Sequence, residues 1–161
     1  MKIIYKISLS ILLILVLILA CIYFVTNKEL FDGDECATNV DDQGKLTITG
    51  TGDCSNLRLL DLSNRTLTDI SALANVTNIV VLNLSNTQIN LNDISEISSL
   101  HDNLESLFLN NNKIKIEATD IPNLSSFTNL HLLSLINNDI RELSFILGLN
   151  NLKTLFIENK D

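Results

Sequence analysis

Tryptophan is absent from this 161-residue chain, proline occurs once, and glycine and histidine are scarce at five and two residues. Each shortage removes a class of function. Without a glycine-rich run there is no loop whose backbone amides cradle a phosphate. The two histidines, His101 and His131, lie apart from each other and from the cysteines, so zinc-ligand spacing is missing. Basic side chains are also short, 11 against 19 acidic, for a net charge of −8. Beyond residue 31 there are eight basic and eighteen acidic side chains, a net −10. Such a surface repels phosphate backbones and excludes nucleic acid as a partner. No cofactor is expected, and a chain of this length holds one domain.

What the chain has in excess is one apolar block. Residues 1–6, with Lys2 and Lys6, form a short basic region, and from Ile7 to Val25 no residue is charged. Roughly 18 uncharged residues suffice for a membrane-spanning helix, whereas the apolar part of a cleaved secretory signal has about 7–15. Lysines precede the block, and Glu29, Asp32, Asp34 and Glu35 follow it closely. The positive-inside rule then leaves the N-terminus in the cytoplasm. Within the block, Ile18-Leu19-Ala20-Cys21 resembles the signal of bacterial lipoproteins, which would make Cys21 a lipidation site. Ile22-Tyr23-Phe24-Val25 continues the apolar run, as an uncleaved anchor requires. Both readings of residues 7–25, transmembrane anchor or lipoprotein signal, leave 26–35 as a linker. Both put residues 32–161 outside the bacterial cytoplasmic membrane, at the cell surface.

Cys36 and Cys54 are the only cysteines of that exported part, and in an oxidising compartment an even pair is most simply a disulfide. Between them lie a turn signal, Asp41-Asp42-Gln43-Gly44, and an alternating strand, Leu46-Thr47-Ile48-Thr49. Residues 36–56 are therefore expected to cap the first repeat, with Leu46–Ile48 covering Leu57, Leu60 and Leu62.

From residue 57 to 161 one pattern recurs. The segments start at Leu57, Ile79, Leu104, Leu130 and Leu152, spaced 22, 25, 26 and 22 residues apart. Each has apolar residues at its first, fourth and sixth positions, and the four complete segments have another at the eleventh. A period of this size marks a solenoid. The segments resemble leucine-rich repeats, and Thr68-Asp69-Ile70-Ser71-Ala72-Leu73 and Asn92-Asp93-Ile94-Ser95-Glu96-Ile97 resemble the 22-residue class of bacterial internalins. The resemblance implies an α/β leucine-rich-repeat solenoid of about 4.5 repeats following the N-terminal membrane helix, with a short parallel sheet on the concave face and loops or short helices on the convex face. Strand geometry agrees. The fourth and sixth residues point inward, and the third, fifth and seventh outward. The longer second and third repeats are expected to carry extra helix or loop on the convex side, with Pro122 opening or interrupting it rather than sitting in a strand.

Asparagine fills the eighth position of all five segments, from Asn64 to Asn159. The ninth, where the family places a buried Asn ladder, holds Arg65, Thr87, Asn112, Asn138 and Lys160. An inward Asn or Thr there bonds backbone groups that the turn leaves unpaired. Arg65 and Lys160 depart from this and fall in end repeats, where the site opens to solvent.

An enzyme needs a nucleophile, base or metal set converging on one pocket. His101 has Asp102 beside it and Ser106 near, but it precedes a repeat start on a surface bend. His131 adjoins Glu105 across neighbouring strands, as a solvated surface pair does. The chain reads as a non-catalytic protein-binding module whose concave face carries the partner site. The expected contact residues are Glu105, Phe108, His131, Leu132, Ile136, Lys153 and Phe156. Phe108 and Phe156 share a column with the small Ser134 between them, an expected shallow trough flanked by Leu132 and Ile136. A structural envelope protein, or a remnant of a longer adhesin-like repeat protein, are the other readings. The incomplete fifth repeat offers a strand edge where self-association is expected.

Overall fold

The computed structural model describes residues 36–50, 54–116 and 122–159. The apolar block 7–25, Cys21 and the linker lie outside the described residues, as does Lys160. No helix among the described residues is long and apolar enough to cross a membrane.

The described chain opens with an antiparallel hairpin, β1 (Ala37–Val40) and β2 (Leu46–Thr49), whose register pairs Val40 with Leu46. Its turn is set by one carboxylate: Asp41 Oδ1 accepts from the amides of Gln43 and Lys45, both at 2.9 Å. Gly44 has φ of +85°, and a Cβ there would stand 2.8 Å from the Thr66 carbonyl oxygen. The Cys36–Cys54 disulfide ties the start of the hairpin to the entrance of the first repeat.

Five three-residue strands then follow, one per repeat: β3 (Leu59–Asp61), β4 (Val81–Asn83), β5 (Ser106–Phe108), β7 (Leu132–Ser134) and β9 (Thr154–Phe156). They form one parallel sheet in the order β3-β4-β5-β7-β9. The register brings Leu60, Leu82, Leu107, Leu133 and Leu155 into a single row. From Leu60 to Leu133 that row is buried, as is the sixth-position row from Leu62 to Leu135; the first- and eleventh-position apolar residues complete the same core, with Leu57, Leu152 and Leu155 partly buried at its two ends. A smaller parallel pair, β6 (Lys115–Ile116) with β8 (Asp139–Ile140), lines the start of the return path.

Repeat length is absorbed on the convex side. The two 22-residue repeats cross it with five-residue 3-10 turns, Ser71–Asn75 and Ser144–Gly148. The longer repeats use α1 (Leu91–Glu96), followed by a 3-10 turn at Ser98–Leu100, and α2 (Pro122–Ser125). A 3-10 turn rises about 2.0 Å per residue against about 1.5 Å for an α-helix, so it spans the same height with fewer residues. A capping box starts α1: the Asn92 amide donates to Asn90 Oδ1 and the Asn90 amide to Asp93 Oδ2. Pro122 is the first residue of α2, where a missing amide hydrogen costs nothing.

The cap docks against the first repeat. Leu46 is buried in the core and Ile48 packs against it, but the hairpin does not join β3. It pairs with the return path of the first repeat: the Leu46 amide donates to the Asp69 carbonyl and the Thr68 amide to the Gly44 carbonyl. The Lys45 ammonium lies 3.4 Å from the Asp69 carboxylate. The contact is a single parallel bridge, Lys45 opposite Asp69.

Candidate recognition surface

Three columns of asparagine hold the repeats in register. At the ninth position, Asn138 Nδ2 donates to the carbonyls of Leu109 at 2.9 Å and Leu135 at 3.0 Å, while its Oδ1 accepts from the Ile114 amide at 3.2 Å. Asn112 does the same one repeat earlier: its Nδ2 donates to the Leu84 carbonyl, and its Oδ1 accepts from the Thr87 amide. The Thr87 hydroxyl donates to the Leu84 carbonyl at 2.6 Å. Arg65, at the end of this column, is exposed and lines a polar cleft of about 460 Å³ against the cap turn, with Asp41, Asp42 and Thr66.

The eighth-position column serves a separate need. Asn64, Asn86, Asn111 and Asn137 all have φ between 54° and 61°, the left-handed region. Asn adopts that conformation more readily than other residues with a side chain, which explains its recurrence. Their exposed carboxamides pair across repeats, Asn86 to Asn64 and Asn137 to Asn111. A third column escaped the sequence reading. The residue before each repeat start is Asn, and Asn103, Asn129 and Asn151 donate to the carbonyls of Thr77, Asp102 and Thr128 in the preceding repeat. The signal was present in the sequence as an Asn preceding all five segments.

On this braced sheet the expected contact residues sit side by side. The His131 amide donates to the Glu105 carbonyl at 2.8 Å and the Lys153 amide to the His131 carbonyl at 2.9 Å, so the second-position side chains follow one another along one rim. Glu105 and Lys153 are exposed, and His131 is half-buried. Among the described residues no ion pair joins Glu105 to His131, and His131 Nδ1 is buried without a hydrogen-bond partner. Leu132 and Ile136 are half-buried on the same face, as are Leu59, Val80 and Val81 on the first two strands.

Phe108 and Phe156 require a correction. The register places both beside Ser134, as expected, but they retain only 3% and 7% of their exposure and Ser134 none. They therefore do not protrude as anchors. Neither belongs to the main core. Outward side chains on strands about 4.8 Å apart shield one another laterally, and on a concave face their tips converge. Asn110 is buried with them, its Oδ1 accepting from the Ser134 hydroxyl at 2.6 Å and the Ile136 amide at 2.9 Å. The trough is thus a filled floor, and Leu132 and Ile136 border it.

His101 lies at the bend before Leu104. Its Nε2 is 3.1 Å from Asp102 Oδ1 and its Nδ1 is 2.6 Å from the Ser98 carbonyl oxygen. Both ring nitrogens are thus engaged locally, while Ser106 lies on β5.

Among solved structures the chain is similar to internalin C2 of Listeria monocytogenes. The identity is 34% and the TM-score 0.56, over 65% of this chain and 43% of that one. The chain is a leucine-rich repeat protein whose fold is similar to that of an internalin. A second similar structure, internalin F of the same organism, is 25% identical with a TM-score of 0.46, over 66% of this chain and 36% of that one. The leucine-rich repeat protein described here thus spans less than half the length of either relative. No family model matches it, and no curated protein does.

Proposed function

We propose that this leucine-rich repeat protein is a non-catalytic recognition module that binds a protein partner through its concave face. The observation that carries this reading is the arrangement on β5, β7 and β9. A polar rim of Glu105, His131 and Lys153 adjoins the half-exposed Leu132 and Ile136, all mounted on a sheet braced by three asparagine columns. Rigid display lowers the ordering cost of binding, and apolar side chains beside a polar rim are the usual anatomy of a contact site. Phe108 and Phe156 act beneath the surface as the floor that positions Leu132 and Ile136. The apolar block 7–25, as anchor or lipoprotein signal, supports presentation outside the cytoplasmic membrane. A disulfide at Cys36–Cys54 suits an oxidising compartment.

The test is capture of partners by the full chain, followed by affinity measurements on variants. Leu132→Ala and Ile136→Ala are expected to weaken binding by about 1–2 kcal/mol each, in the range of interface contacts of middling weight. Glu96→Ala, an exposed change on the convex side, is expected to leave it unaltered. Normal binding by both concave variants together with loss in the convex one would refute the assignment.

A further inference from the structure

The concave floor holds one polar side chain whose bonding is half complete. Asn110 is 6% exposed, and its Oδ1 accepts from the Ser134 hydroxyl at 2.6 Å and the Ile136 amide at 2.9 Å. A backbone amide only donates, so the atom facing Ile136 is the oxygen and the other end of the carboxamide is the NH2 group. That nitrogen has no hydrogen-bond partner among the described residues, yet it is not sealed in. The buried side-chain nitrogens and oxygens without a partner are Ser99 Oγ, His131 Nδ1 and Ser144 Oγ. Asn110 Nδ2 therefore meets water at the surface of the floor.

Its setting is otherwise apolar or engaged. Phe108 and Phe156 are buried beside it, and the Ser134 hydroxyl already donates to Asn110 itself. On the second repeat Asn83 also accepts through Oδ1, from the Ser85 amide, but it is only half-buried and more open to water.

Any macromolecule that covers this floor removes the water from Nδ2. A donor left unsatisfied in a dry contact weakens binding, so the partner must bring an acceptor to that point. We infer that the acceptor is an uncharged amide carbonyl, of the partner's backbone or of its Asn or Gln side chain, received by Asn110 Nδ2. A carboxylate there would lie among apolar side chains with one neutral donor, which does not offset the desolvation of a charge. It would also approach Glu158, exposed in the same column two strands away, on a chain of net charge −8. This assignment rests on the concave-face reading and gives it a chemistry.

A random-peptide library selected on the immobilised full chain tests it, with the enriched peptides remade and their affinities measured. Asn110→Asp keeps an oxygen toward Ser134 and Ile136 and exchanges the outward donor for an acceptor. It is expected to weaken the peptides about tenfold or more, and Leu132→Ala, the marker of the concave face, is expected to weaken them too. In the parent chain the Asn110 side-chain amide protons are expected to shift downfield on peptide binding, a readout independent of how the variant folds. An Asn or Gln shared by the peptides assigns the carbonyl to a side chain, and none shared assigns it to the backbone. A shared Asp or Glu that Asn or Gln cannot replace, an unmoved Asn110 resonance, or affinities that fall with Leu132→Ala but not with Asn110→Asp would overturn the carbonyl assignment while the concave-face reading stands. A library without binders, or peptides indifferent to both variants, would overturn the two together.

Discussion

The side chain of Asn138 reaches back 29 residues to the carbonyl of Leu109, a buried hydrogen bond of 2.9 Å that clamps one repeat onto the next. The same carboxamide serves its own turn and the Ile114 amide, so its removal orphans groups in two repeats at once. Replacing it by Ala is expected to cost about 2–4 kcal/mol, since each buried group left unsatisfied is worth about 1–3 kcal/mol. Denaturant unfolding would show this as a lowered midpoint. An unchanged midpoint would mean that water replaces the carboxamide.

Asn137, next to it, is constrained by backbone conformation. With φ of 57° it sits where a β-branched residue is strained. Asn137→Val is expected to destabilise by about 1–2 kcal/mol, and Asn137→Gly to be nearly neutral. Equal melting temperatures for the two variants would contradict the conformational explanation.

Gly148 is needed for close packing. A Cβ at this position would stand 2.9 Å from the Cα and 3.2 Å from the carbonyl oxygen of Ser125, both backbone atoms of α2. Gly148→Ala is expected to cost about 1–3 kcal/mol by forcing two convex segments apart. Thermal unfolding would reveal a stable variant if the segments separate freely.

Opening Cys36–Cys54 is expected to lower stability by about 3 kcal/mol on the loop-entropy argument. The loss should appear on adding reductant and in Cys36→Ser alike. Backbone bonds from Leu46 and Thr68 still hold the hairpin, so the repeats should unfold cooperatively afterwards. A melting temperature insensitive to reductant would detach the cap from global stability.

Acid should weaken the cap and the Leu143 turn. The Asp69 carboxylate accepts from the Ser71 hydroxyl and amide, with Lys45 adding a smaller contribution, and is held below its ordinary 3.8. Glu142, accepting from the Leu143 and Ser144 amides, is held below 4.5. A carboxylate whose folded pKa is depressed contributes stability above its unfolded pKa and loses it as pH falls through the folded value. Stability is therefore expected to decline below about pH 4, and less steeply in Asp69→Asn. Because both groups are exposed the effect is small, and melting curves taken on either side of that pH would resolve it. Identical acid responses in the variant and the parent would exclude Asp69 as a contributor.

The period of 22 to 26 residues, with apolar residues at fixed offsets, determined the strand row and the inward columns, and the resemblance to leucine-rich repeats implied the ninth-position ladder. Those features depend on alternation within three residues and on repetition, both of which are local. Pairing of Cys36 with Cys54 was legible because residues 32–161 hold no other cysteine. Exposure was not legible. Whether Phe108 and Phe156 protrude depends on what lies one and two strands away, and only the folded sheet brings Ser134 and Asn110 against them. Nor did the alternation of Leu46–Thr49 reveal the backbone bonds from Leu46 to Asp69 and from Thr68 to Gly44, since backbone groups carry no side-chain pattern. The turn at Leu143, Ile146 and Leu147 has the pattern of a buried one and is exposed. Only the tertiary stack decides which apolar turn is covered, because burial belongs to the neighbouring layer and not to the residue itself.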